Sequence, residues 1–194
     1  EDAYVSWTED FGREEYASLR GNSNMRIRMD TTDEELLAVA RQNDVSPDEE
    51  NIAVEALRRD VTSMQNIVNY RYCKRRANAE QQDTTVEAHR LLYRAEQAVF
   101  EENNLDEALQ LVEKGLTSYN LAFNEYFQDI KGDEFAIEEA LKGVLLLRYI
   151  HSLRGTTMPD PAKYGSTIGL LWLSNQASVP QLEATMLRQQ RGSD

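Results

Sequence analysis

The sequence predicts an all-α protein, an antiparallel helical bundle with extended N- and C-terminal arms. Two positive observations and one absence point there. Helix-start signals recur through the middle of the chain, and the segments between them carry apolar residues at a 3.6-residue period. No stretch alternates apolar and polar residues as a half-buried strand would. The expected layout is an N-terminal arm over 1–31, a bundle over 32–154 and a C-terminal tail over 155–194 with a short last helix.

In the N-terminal arm, Tyr4, Trp7, Phe11 and Tyr16 sit in a polar setting. A short helix over about residues 9–20 fits it, with Gly21-Asn22-Ser23-Asn24 as a break. Thr32 with Glu35 then has the capping-box spacing, as do Ser46 with Glu49, Thr84 with Glu87 and Asn104 with Glu107. In each pair a short side-chain oxygen can accept from an orphan N–H while the glutamate reaches back. Pro47 suits a first helical position, and Asp133 reads as a further cap. Acidic residues crowd these starts, where they complement the positive end of the helix dipole.

The apolar faces follow. From Pro47 to about Gln81, one long helix carries Val54, Leu57, Val61, Met64 and Val68. From Thr85 to Glu102 the face is Ala88, Leu91, Leu92, Ala95, Ala98 and Val99. A third helix, from Leu105 to Ile130, runs through Ala108, Val112, Leu116, Tyr119, Phe123 and Phe127. From Glu134 to Arg154 the stripe of Ile137, Ala140, Leu141, Val144, Leu145, Leu147 and Tyr149 is broader, so a more buried helix is expected here. Gly132 and Gly155 are placed as stops. Short connections then make neighbouring helices antiparallel. The tail holds Pro159, Pro161 and Pro180, and Ser178 with Gln181 can cap a last helix.

Residues 91–119 resemble one tetratricopeptide-type helical hairpin. Ala108, Val112 and Gly115 stand at the small–large–small positions of that repeat's second helix, and Leu92, Ala95 and Val99 at apolar positions of its first. Glu96 stands where the repeat has a small residue, and no second copy recurs at a period of 34. Asn69-Tyr70-Arg71-Tyr72, then Ala79-Glu80-Gln81, then the hairpin are together similar to an uncharacterised planctomycete-type helical family. That resemblance implies no activity, and it implies a membrane anchor upstream of residue 1.

Charge narrows the partners. With 34 acidic against 21 basic residues, the net charge is −13, which repels nucleic-acid backbones and anionic lipid surfaces. No run of about 18 apolar residues exists, so no direct membrane span is expected in this chain. The single cysteine, Cys73, excludes a disulfide framework and a cysteine-based zinc site. His89 and His151 lack the Glu three residues earlier that di-iron bundles use. Gly165-Ser166-Thr167-Ile168-Gly169 lacks the spacing of a nucleophile elbow. The paired carboxylates already have a capping role. No catalytic residue, metal or cofactor is expected.

Two features remain as candidate partner-binding residues. Arg71, Lys74, Arg75 and Arg76 form a basic cluster interleaved with Tyr70 and Tyr72. They either face acidic helices of their own bundle and water, or dock an acidic partner or a phosphate. Arg71 and Arg75 continue the stripe of Val61, Met64 and Val68, so burial there would demand acidic partners. In the tail, Ile168, Leu170, Leu171, Trp172 and Leu173 either return to cover the bundle or meet another protein. The expected function is a non-catalytic helical scaffold, or a protein-interaction subunit whose partners are other protein subunits. The alternative is an accessory subunit positioning or regulating an enzyme or membrane complex, with the chemistry supplied by partners.

Overall fold

The computed structural model describes residues 2–20, 24–127 and 133–191. Among them every regular element except one two-stranded hairpin is helical, so the all-α class is correct. The chain forms two compact units, residues 1–78 and 79–194. The division falls inside the stretch expected to form one bundle over 32–154. The reason is that both arms fold: the N-terminal arm packs onto the first bundle helices and the tail onto the last.

The first unit begins with α1 (Asp2–Val5) and a π-helical turn over Ser6–Asp10, closed by the Phe11 N–H donating to the Ser6 carbonyl. The helix expected over 9–20 therefore lies earlier in the chain. In its place β1 (Tyr16–Ala17) pairs antiparallel with β2 (Arg26–Ile27), Tyr16 opposite Ile27. Strands of two residues are too short for any alternation to show. The Gly21-Asn22-Ser23 part of the expected break lies outside the described residues.

Asp60, on α3 (Glu50–Ile67), ties the end of β1 down. Its Oδ2 accepts from the Ser18 hydroxyl at 2.6 Å and from the N–H groups of Leu19 and Arg20 at 2.8 Å. Its Oδ1 meets Arg20 Nη1 at 2.7 Å. Burial pushes this carboxyl's pKa up, but the hydrogen bonds from Ser18, Arg20 and Leu19 outweigh it and leave the pKa below the ordinary range. Between these elements α2 (Asp33–Gln42) opens with the expected capping box. Thr32 Oγ1 accepts from the Glu35 N–H, and Glu35 Oε2 accepts from the Thr32 N–H at 2.8 Å. Met25, Ile27, Leu36, Leu57 and Val61 make the small core beneath.

Three sequence expectations fail locally. Ser46 and Glu49 form a turn, with the Ser46 hydroxyl on Glu49 Oε2, and α3 starts only at Glu50. Thr84 is already inside α5 (Asp83–Phe100), and Glu87 holds Arg90 instead of a cap. The long helix expected from 47 to 81 breaks after α3. Asn69 adopts φ +56°, a left-handed conformation that asparagine tolerates better than most residues, and α4 (Tyr70–Glu80) starts afresh.

In the second unit α5 lies along α6 (Leu105–Glu125), with Asn104 capping α6 through the Glu107 N–H. A Cβ on Gly115 would stand 2.8 Å from Leu92 Cδ2, so the glycine permits this close approach. Ile130 and Gly132, expected to end this helix, lie outside the described residues. Asp133 caps α7 (Glu134–Leu153) by accepting from the Ala136 N–H at 2.9 Å. As expected, α7 is heavily buried, the most enclosed helix among the described residues. Ala140, Leu141, Val144, Leu145, Leu147 and Ile150 are all buried. Ala140, Val144, Leu147 and Ile150 share a core with Val112, Leu116 and Tyr119 of α6, and Leu145 packs with Val179 and Met186. Gly155, at φ +65°, ends α7. Its N–H reaches the Ser152 carbonyl at 3.1 Å, and the Thr156 N–H reaches the His151 carbonyl at 2.9 Å.

Residues 155–194, expected to be an extended tail, instead form a 3₁₀ turn (Pro161–Tyr164), α8 (Ser166–Ser174) and the anticipated last helix α9 (Val179–Arg191). Pro161 sits at the start of the turn behind the Asp160 cap, so the proline initiates helical structure here. No helix among the described residues is long and apolar enough to cross a membrane.

Candidate functional site

Because α4 restarts after Asn69, its residues no longer continue the apolar stripe of α3. Arg71, Lys74 and Arg75 fall on one face with Asn78, at positions i, i+3, i+4 and i+7. They line a cleft of about 490 Å³ within the first unit, together with Tyr4, Met29, Asp30, Thr31, Gln65 and Tyr70. Arg71 and Arg75 are exposed and Lys74 is half-buried, so with the break at Asn69 neither arginine is buried on the apolar stripe and the need for acidic partners there does not arise. Arg76 does not line the cleft.

Buried neighbours hold two of these cations, Arg71 and Lys74. Gln65 is buried; its amide nitrogen donates to the Met29 carbonyl, and its Oε1 accepts from Arg71 Nε at 2.7 Å. Lys74 Nζ lies 3.5 Å from the Tyr70 hydroxyl and 5.6 Å from its ring centroid, and that ring is itself buried. Asp30 is the acidic residue on the rim, and Arg28 Nε takes its carboxylate at 3.0 Å. The positive face thus keeps its charge. Sequence spacing found the cations, whereas Gln65, Met29 and Thr31 come from other elements and have no local signal.

The apolar run of the tail is divided by α8. Ile168 is buried, and Trp172 packs against the cluster of Leu145, Val179 and Met186, with the Arg148 guanidinium 5.6 Å from its ring centroid. Arg148 is in turn held by Glu183 at 2.6 Å, which ties α7 to α9. Leu171 is half-buried on the core that contains Ile168. Leu170 and Leu173, in contrast, are 63% and 71% exposed. The self-packing alternative therefore holds for Ile168, Leu171 and Trp172. Part of the run covers the chain's own core, and part faces outward.

Among the described residues, the carboxylates whose pKa departs from its ordinary value all move down. Arg41 lowers Glu50, Arg90 lowers Glu87, and hydrogen bonds from the Thr32 backbone and Arg28 lower Glu35. Burial pushes Glu113 up, but the Tyr164 hydroxyl at 2.7 Å and Lys163 at 3.1 Å more than reverse it. Burial and that same carboxylate push the Tyr164 phenol upward, so it stays a donor that pins the 3₁₀ turn to α6. A general acid working near neutrality needs the opposite, a carboxyl raised toward 7. Among the described residues no group of three His, Cys, Asp or Glu side chains is placed to hold a metal ion.

No family model, curated protein or solved structure matches the chain.

Proposed function

We propose that the chain is a non-catalytic helical scaffold, a protein-interaction subunit that docks onto another protein subunit through α8. The observation that carries this reading is the division of α8: Ile168, Leu171 and Trp172 seat the helix, while Leu170 and Leu173 are left outward. Covering an exposed leucine is worth about 1.5–3 kcal/mol, and paired apolar side chains on a seated helix are positioned to supply it. In this reading α5 and α6 are the tetratricopeptide-like hairpin, with buried Ala108 and Gly115 allowing their close contact. The downward carboxylate shifts support the absence of chemistry.

The test is comparative affinity purification from the native source. Leu170→Glu with Leu173→Glu should fold as the parent does and lose the protein that the parent retains. Equal recovery of the same protein by both would overturn α8 as the docking element. Substrate turnover by the purified chain would overturn the non-catalytic reading.

A further inference from the structure

In an acidic chain a cation has many carboxylates to choose from, and most take one. Arg20 holds Asp60, Arg41 holds Glu50, Arg90 holds Glu87 and Arg148 holds Glu183. Arg71, Lys74 and Arg75 do not. Among the described residues the Arg71 guanidinium bonds only the neutral Gln65 amide, and Lys74 meets only Tyr70. Arg75 has no hydrogen-bond or ion-pair partner there. Like charges three and four residues apart on a helix repel, so this arrangement costs stability unless an anion relieves it.

The cleft is also built. Gln65 is fixed at both ends of its amide and occupies Arg71 Nε, which leaves the two terminal guanidinium nitrogens for another acceptor. That pair of parallel N–H donors matches two oxygens of one oxyanion. Lys74 is steadied over a buried ring rather than freely solvated. Arg28 already neutralises the rim carboxylate, Asp30. The volume of about 490 Å³ is in the range of small-ligand sites, but this lining is polar where such sites are commonly apolar, so it suits a charged, polar ligand.

From these features we infer that the cleft of the first unit binds a phosphate monoester. The phosphoryl dianion lies among Arg71, Lys74 and Arg75, and its organic substituent extends along Tyr4, Met29 and Thr31. The inference is independent of the docking role given to α8. The phosphoryl group has two sources, a free phosphorylated small molecule or a phosphorylated side chain of a protein.

The test is titration of the full chain, followed by calorimetry and by the NMR signal of the Arg71 Nε–H. The probes are O-phosphoserine, a phosphoserine heptapeptide, its unphosphorylated twin, and glutarate as a dicarboxylate. The phosphorylated probes should saturate and shift the Arg71 signal, with glutarate and the unphosphorylated peptide weaker by about tenfold or more. Arg71→Gln and Arg75→Gln should each weaken phosphate binding by about tenfold or more, and Arg71→Lys should fall between them and the parent. Lys114→Gln, an equal charge change at an exposed site in residues 79–194, should have no effect. The two glutamine variants alter exposed side chains, so each is checked by its thermal midpoint and either one alone suffices.

Equal affinity for O-phosphoserine and the phosphopeptide identifies a free small ligand, and a phosphopeptide preference of about tenfold identifies a protein segment. Three results would overturn the inference: no saturation by any phosphorylated probe, glutarate binding as tightly as O-phosphoserine, or Arg71→Gln and Lys114→Gln behaving alike.

Discussion

Residues 1–78 and 79–194 are held together by different means. The second unit has a continuous apolar core in which α7 is enclosed on most sides, and its ion pairs lie at the margins. The first has a smaller apolar core around Met25, Ile27, Leu36, Leu57 and Val61, and Asp60 gathers three consecutive residues of the N-terminal segment onto α3. A unit fastened by apolar area tolerates change in its polar residues. One fastened by a buried carboxylate depends on that group's protonation state.

The largest effect tests the apolar side of this contrast. Leu147 is fully buried, and Leu147→Ala should cost about 2–5 kcal/mol, read as a lower denaturation midpoint and faster amide exchange within residues 79–194. Exchange that quickens equally in residues 1–78 would erase the distinction.

On the polar side, Asp60→Ala removes the acceptor shared by the Ser18 hydroxyl and the Leu19 and Arg20 N–H groups and should cost about 1–3 kcal/mol, with exchange quickened around β1. The pH dependence has a definite sign. Because the folded pKa of Asp60 lies below its unfolded value, the stabilisation is fully present above the unfolded pKa. It is lost as pH falls below about 4 and through the folded value. Asp60→Asn should flatten that acid limb for residues 1–78, as followed by amide exchange against pH.

A smaller effect tests the break between α3 and α4. Asn69→Ala places an alanine at φ +56° and should cost about 1 kcal/mol, whereas Asn69→Gly should be near neutral. Equal midpoints for the two would mean that the left-handed residue does not govern the break. The smallest effect belongs to Leu170→Glu with Leu173→Glu, which should stay within about 0.5 kcal/mol of the parent because both side chains are already in water.

The second unit was the more legible in the sequence, for a physical reason. Its helices are long, and their apolar periods coincide with the faces that pack, so Ala108, Val112, Leu116 and Tyr119 are buried where periodicity put them. Asn104 and Asp133 cap where their spacing indicated. Legibility failed where a single backbone angle or a distant partner decides. Nothing local distinguishes Asn69 as left-handed, yet that angle divides a helix and turns Arg71 away from the apolar stripe. The helix α8 was hidden because its sequence is apolar on nearly every side, so no period stands out between the prolines. Of the candidate cleft, the cations were visible, but the Gln65 amide that orients Arg71 acts across the break, and Met29 acts from β2's side of the unit.

The end of α7 offers a test of molecular handedness. Around Gly155 there is open space, since apart from the residue itself and its two chain neighbours no heavy atom lies within 4 Å of where an L residue's Cβ would stand, yet its φ of +65° suits the mirror-image residue. Chirality rather than room therefore restricts this position. D-alanine placed at 155 by chemical synthesis has the φ sign that this position requires, loses conformational freedom mainly when unfolded, and should gain about 0.4–1 kcal/mol. L-alanine at the same place clashes with its own backbone and loses about as much.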